Sequence, residues 1–276
     1  MSRRRRPRQG ARRPFTLSLA AVLLAVGAAL GLVGGYLIGK GRGALGEYSA
    51  VTGALGGCRV LFIDQLGSDY PNASLVEHVV GELERAGCSV TLLPSSSFTL
   101  RSFKLFGYYD VIIFRGHTGW GNYYYPSTGR LKVLVGFFTG ERYNSSKYVD
   151  LQRRGLVVEG IPLLRPRPGY NKTYIAVTQD YIRRYVPVKK GSTFILATCF
   201  AGSKILAGIL LEKGASTVIG WDKNVTVFKA DAALEKLVDL YAKYHSWRRA
   251  YEELPEAYKE SPGGARLVIY TRGGEG

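Results

Sequence analysis

Asp110-Val-Ile-Ile-Phe114-Arg115-Gly116-His117-Thr118-Gly119 opens as an unbroken apolar run and ends in small and polar residues. Thr193-Phe-Ile-Leu-Ala-Thr198-Cys199-Phe200-Ala201-Gly202 repeats the pattern. Short apolar runs with such ends read as strands buried on both faces of a parallel sheet. Outward from these two, Arg59-Val-Leu-Phe-Ile63 ending at Asp64, Ser89–Leu93 and Thr217–Trp221 are further strands of the kind. Between them, Leu75, Val76, Val79, Val80 and Leu83 recur at helical spacing, with Gly87 as the stop. A helix through Ile205–Leu211 stops at Gly214, and Ala230–Tyr244 is a longer one. Arg266–Tyr270 reads as a late edge strand. Strands alternating with helices predict an α/β fold, a mostly parallel sheet with helices on both faces.

The stretch at about 120–190 has a different character. It carries Tyr123, Tyr124 and Tyr125, alternating runs at Lys132–Phe138 and Thr173–Thr178, and a proline cluster at Pro162, Pro166 and Pro168. A structureless loop of that length is implausible in a compact domain, so it reads as β-hairpins laid over one edge of the sheet. Such an insertion either walls a substrate groove or serves as a rigid ornament.

The chain's 38 Lys and Arg against 21 Asp and Glu give a net charge of +17, unevenly placed. Arg3, Arg4, Arg5, Arg6, Arg8, Arg12 and Arg13 fill a basic segment at 1–14. Residues 15–39 carry no charge and are long enough, as a helix, to span a bilayer. The heavier basic flank keeps the N-terminus cytoplasmic and sends the rest outside. The expected plan is therefore a signal-anchor at 15–39, a Gly/Ala-rich stalk at 40–57 and an extracellular α/β domain at 58–276. The mild positive excess of that domain, without an arginine stripe or aromatic–basic motif, gives no reason to expect nucleic acid as a partner.

Four of the five Asn, Asn72, Asn144, Asn171 and Asn224, stand in the Asn-x-Ser/Thr pattern, a density that points to N-glycosylation. That means an archaeal cell surface or a eukaryotic secretory lumen. Scarce Asn, Gln, Met and Cys beside abundant Arg, Tyr and Val lean towards a thermophile. Cys58 and Cys88 read either as small buried residues or as a pair bridging the start of the first strand to the turn before the second.

Functional groups gather at the carboxyl ends of the strands in open parallel sheets. Asp64, His117, Cys199 and Asp222 all fall there, and His117 with Cys199 is the nucleophile–base pair on offer. A helix expected directly after Cys199 would favour its thiolate. Gly116, Gly119 and Gly202 would let a substrate backbone approach closely. His78 and His245 read as structural. The three His are scattered and show no paired-ligand spacing, so neither a metal nor another cofactor is expected.

On Val111-Ile-Ile-Phe-Arg-Gly-His117-Thr-Gly119, Phe194-Ile-Leu-Ala-Thr-Cys199-Phe-Ala-Gly202 and Lys213-Gly-Ala-Ser-Thr-Val-Ile-Gly-Trp221, the chain resembles the caspase–gingipain–legumain group of cysteine peptidases, in its gingipain-like or CHAT-like branches. The resemblance covers about Arg59 to Val225. It departs from the group at Thr118, which separates His117 from Gly119, and at Thr198, which stands where Ala is usual. It implies a caspase-like fold, a catalytic His117–Cys199 dyad, a thioester acyl-enzyme, and an oxyanion hole from the amides of Thr118 and Cys199. The expected function is a membrane-anchored extracytoplasmic cysteine endopeptidase acting on peptide or protein substrates. The alternatives are a catalytically inactive surface binding module and another thiol hydrolase or transpeptidase on the same framework. Asp64 or Asp222 in the substrate pocket would select Arg or Lys before the scissile bond, whereas a strand-end Asp that merely caps a turn would not.

Overall fold

The computed structural model describes residues 57–125, 129–162 and 170–273. The basic segment, the span at 15–39, the stalk up to residue 56, and Pro166 and Pro168 lie outside the described residues. Among the described residues no helix is long and apolar enough to cross a membrane.

Six strands form the main sheet: β1 (Arg59–Asp64), β2 (Ser89–Pro94), β3 (Val111–Arg115), β8 (Thr193–Ala197), β9 (Thr217–Trp221) and β10 (Leu267–Thr271). Their spatial order is β10-β9-β8-β3-β1-β2, and only β10 runs antiparallel to its neighbour. The central strands β3 and β8 are buried at every residue, the reason they read as unbroken apolar runs. The expected mostly parallel α/β sheet is therefore present, mixed at one edge.

Both faces are covered. On one, α1 (Ala73–Arg85) and α5 (Val227–Tyr244) pack Leu75, Val79, Leu83, Leu234 and Val238 against Val60, Phe62, Ile113 and Ile195. Asn72 caps α1 by accepting from the Leu75 N–H, and Thr226 caps α5 by accepting from Lys229. Thr226 thus starts α5 three residues earlier than the apolar periodicity indicated. Helix α1 ends in a Schellman turn, with the Cys88 N–H on the Leu83 carbonyl, the Gly87 N–H on Glu84 and Gly87 at φ +84°. That turn delivers Cys88 to Cys58, and the two form a disulfide with Cα atoms 4.6 Å apart, resolving the alternatives in favour of the bridge.

On the other face, α4 (Lys204–Glu212) and a long 3₁₀ segment (Leu100–Gly107) contribute Leu206, Leu210, Phe103 and Phe106. They share this core with a second sheet. Its strands β4 (Thr118–Tyr125), β5 (Arg130–Arg142), β6 (Val157–Gly160) and β7 (Tyr174–Thr178) run in the order β4-β5-β7-β6, antiparallel throughout. Val135, Phe137, Val157, Ile175 and Val177 point from it into the same apolar cluster as Phe114 and Phe194. The insertion is therefore not laid over an edge as an ornament; one of its faces packs into the core. Three short helices complete the elements: α2 (Val149–Arg153), α3 (Gln179–Tyr185) and α6 (Trp247–Glu252), followed by the single turn α7 (Glu256–Lys259).

Candidate active site

Strand register builds the site. β3 and β8 are adjacent and parallel, with Arg115 opposite Ala197 at their carboxyl ends. His117 and Cys199 each stand two residues beyond that pair. Between them, the Thr118 and Thr198 hydroxyls hydrogen-bond at 2.8 Å in a buried position and tie the two exits together. His117 and Cys199 border one cleft of about 300 Å³, together with Trp120, Phe138, Ile161 and Asn224.

The loop after β1 holds His117 in place. Gln65, fully buried, accepts from the His117 backbone N–H at 2.7 Å and donates to the Thr139 carbonyl at 3.3 Å. Asp69, its side chain sealed from solvent, places Oδ2 at 3.8 Å from His117 Nε2, beyond hydrogen-bond length but within ion-pair range. Nε2 is buried and has no hydrogen-bond partner. The Tyr170 and Tyr174 hydroxyls each donate to Asp69 Oδ2 at 2.5 Å, and Lys172 Nζ lies 3.5 Å from Oδ1. Burial alone would lift the Asp69 carboxyl, but His117 and the two hydroxyls outweigh it and hold the group well below the usual carboxylate range. Burial, and after it the bond to the Asp69 carboxylate, push the Tyr174 phenol up to about 12.

Beneath the site lies a buried ion cluster. Arg115 donates from Nη1 to Asp64 at 2.7 Å, from Nε and Nη2 to Asp231 at 2.7 and 2.8 Å, and from Nη2 to the Tyr70 carbonyl at 2.9 Å. Burial opposes the guanidinium charge, but the two carboxylates more than offset it. Asp64 is therefore turned inward to Arg115 and does not border the cleft. Asp222 does not border it either: it accepts from the Arg266 N–H at 2.7 Å and pins the start of β10 to β9. Asp64 is paired with Arg115 and Asp222 accepts from a backbone amide, and neither is among the residues that border the cleft, so the structure does not place the expected basic-residue pocket on them.

The surroundings of Cys199 also differ from expectation. A turn, not a helix, follows it, and α4 begins only at Lys204 with Ser203 as its cap. The thiol lies 3.5 Å from the Val225 carbonyl and accepts from the Val225 N–H at 3.4 Å. Burial raises it above its ordinary value of 9.0, so the thiolate favoured by a helix terminus is not what this site provides at rest. Phe200, directly after it, has φ +55°, a left-handed conformation uncommon for a bulky residue and frequent at functional turns. Gly202 has a packing reason rather than a substrate: a Cβ there would meet the Gly220 carbonyl at 2.3 Å.

Of the two expected oxyanion amides, that of Thr118 is placed by the ladder of the second sheet. The Phe138 N–H bonds the His117 carbonyl, so the alternation of an antiparallel ladder leaves the next pair, Thr118 and Phe137, without ladder bonds to each other. The Thr118 N–H is thereby kept out of the ladder.

Sequence reasoning missed Asp69, Gln65, Tyr170 and Tyr174. A signal existed for the first two, since polar residues following β1 join the other strand ends; the tyrosines reach the site only through the fold of the second sheet. No metal cradle stands among the cleft residues. The described residues bring three potential metal ligands together only at His78, Glu82 and Asp239, away from the cleft. No model of a known protein family matches the chain, and no curated protein matches it either.

Proposed function

We propose that the chain is a cysteine peptidase of caspase-like architecture, anchored through residues 15–39 with its α/β domain outside the cell. The observation that carries this reading is the placement of His117 and Cys199 at matching positions beyond adjacent parallel strands, facing one cleft. In the reaction, Cys199 Sγ attacks the scissile carbonyl carbon while His117 takes the thiol proton. The negative oxygen rests on the Thr118 and Cys199 amides. The C–N bond then breaks as His117 returns its proton to the leaving amine, leaving a thioester on Cys199. Water, deprotonated by His117, opens the thioester and restores the thiol. Because Nε2 is turned to Asp69, Nδ1 is the nitrogen left for this proton. The raised thiol makes His117 a general base at the moment of attack, not one half of a preformed ion pair.

The disulfide between Cys58 and Cys88 supports the outside location, since such bonds persist in oxidising compartments. Exposed Asn144, Asn171 and Asn224 fit the glycoprotein reading. A second reading, a binding module that retains the fold, is favoured by the raised thiol of Cys199. Labelling of the full-length chain with a peptidyl electrophile separates the two. The peptidase reading expects adduct on Cys199, slowed by His117→Ala and absent from Cys199→Ala. A chain that small thiol reagents modify but peptidyl electrophiles never do would favour the binding module.

A further inference from the structure

Beside the cleft, a second cavity of about 300 Å³ lies on the outer face of the second sheet. It shares Gly119, Trp120, Phe138 and Ile161 with the cleft that His117 and Cys199 border, so the two adjoin. Its volume is about twice that of the ~150 Å³ apolar cavity that accommodates benzene.

The strand register explains the space. On this face Gly119 is opposite Gly136, and Gly121 is opposite Leu134. Glycine weakens a strand interior, and it persists there where another group approaches closely. Two of the three have such a reason within the protein. A Cβ on Gly136 would meet the Val177 carbonyl at 2.3 Å, and one on Gly119 would meet the Phe138 ring at 2.8 Å. Gly121 has none: a Cβ there would touch nothing within 4 Å. The chain bears the strand cost of a glycine at a position where the fold itself leaves the space empty.

The rim is apolar and exposed. Trp120 is 45% and Ile161 56% accessible, unusual for large apolar side chains at a concave site. Among the described residues that line this cavity, Glu159 is the one that is acidic or basic. The two strand-end carboxylates do not add to it: Asp64 bonds Arg115 and Asp222 accepts from the Arg266 amide.

We propose that this cavity receives a bulky apolar side chain, of the size of Leu or Phe, from a peptide whose backbone lies in the His117–Cys199 cleft. The proposal rests on the peptidase reading for what happens next to the scissile bond, but the binding it describes does not need turnover. Gly121 keeps the pocket open, and Phe138 and Leu134 form its floor. Its contribution to selectivity is on the order of 10- to 200-fold between a filled pocket and one left empty by Gly.

The test uses the full-length chain, a peptide library varied at each position about the cleavage site, and the variant Gly121→Phe. Since the added side chain meets open space, the variant is expected to fold, and an unchanged melting temperature checks this. The expected result is a strong preference for Leu or Phe over Gly, Lys and Asp at one position, lost in Gly121→Phe. Cys199→Ala provides the arm that does not depend on catalysis. Trp120 is the one exposed member of the chain's three tryptophans, Trp221 and Trp247 being buried, so its fluorescence reports occupancy. Quenching by Leu- or Phe-containing peptides, abolished by adding Gly121→Phe, supports the pocket even if no peptide is cleaved, in which case the peptidase reading alone fails. Preference for charged residues, or indifference to Gly121→Phe in both arms, overturns the proposal. A lowered melting temperature in Gly121→Phe without any peptide-dependent quenching also overturns it, because the space is then filled by the chain itself.

Discussion

Asp69 Oδ2 lies 3.8 Å from His117 Nε2, and the Tyr170 and Tyr174 hydroxyls both donate to that same oxygen. The arrangement sets the ring through a fixed anion instead of a direct hydrogen bond, and it joins the loop after β1 to the second sheet. Asp69→Asn is therefore expected to slow peptide turnover by about 10²-fold, within the range of general acid–base effects. It should also displace the pH–rate profile, which a purely structural loss would leave in place. Steady-state kinetics across pH 5–9 on the variant and the parent chain check this.

The same carboxyl has a signature in stability. Its native value is held below the ordinary 3.8, so its contribution is fully present above about pH 4. It is lost as the pH falls below that point through the native value. Melting temperatures of the parent and Asp69→Asn should accordingly converge as the pH is lowered from 4 towards 2.

Arg115 is buried among Asp64, Asp231 and the Tyr70 carbonyl. Removing it leaves two carboxylates facing each other without a counter-charge, and Arg115→Ala should cost about 3–5 kcal/mol by chemical denaturation. Breaking the Cys58–Cys88 bridge, which closes a loop of 30 residues, should cost about 3–4 kcal/mol in the loop-entropy account.

Of the four sequons, Asn72 is committed within the fold. Its side-chain oxygen caps α1, and its Nδ2 donates to Asp231 at 3.0 Å, so a glycan there would break the bond to the ion cluster. Asn144 is exposed, and its Oδ1 accepts from both the N–H and the hydroxyl of Ser146, leaving Nδ2 outward. Glycopeptide mass spectrometry on native material should find glycan at Asn144 or Asn171 and none at Asn72.

The strands and the His117–Cys199 pairing were legible because complete burial on both faces writes itself as apolar runs, and parallel sheets place polar residues at the ends of those runs. Arg115 inside the motif was visible, but its partner Asp231 sits on α5, 116 residues away, and no local pattern links the two. The choice between a pocket and a structural role for Asp64 and Asp222 is not legible for the same reason: a strand-end carboxylate looks identical in sequence whether it faces a cleft or an arginine. The helix expected behind Cys199 failed on a detail of turn geometry. Phe200 in the left-handed region and Gly202 against β9 insert a full turn before Ser203 can cap α4. The second sheet was recognised as β-structure from alternation at Lys132–Phe138, but alternation says which faces differ, not which neighbour each face meets.

Because burial raises the Cys199 thiol above 9.0, alkylation of the resting chain by iodoacetamide should accelerate from pH 7 through pH 9 without levelling off. A plateau below pH 7 would instead indicate a preformed thiolate–imidazolium pair and require a different route for the first proton transfer.

The central claim, acyl transfer by Cys199 with His117 as its base, is tested most directly by peptide cleavage with the full-length chain, Cys199→Ala and His117→Ala side by side. Cleavage by the parent, none by Cys199→Ala, and a loss on the order of 10²–10⁴ in kcat/KM for His117→Ala are the predicted results. Cleavage that persists in Cys199→Ala, or a folded parent chain that cleaves no peptide in the library, would contradict it.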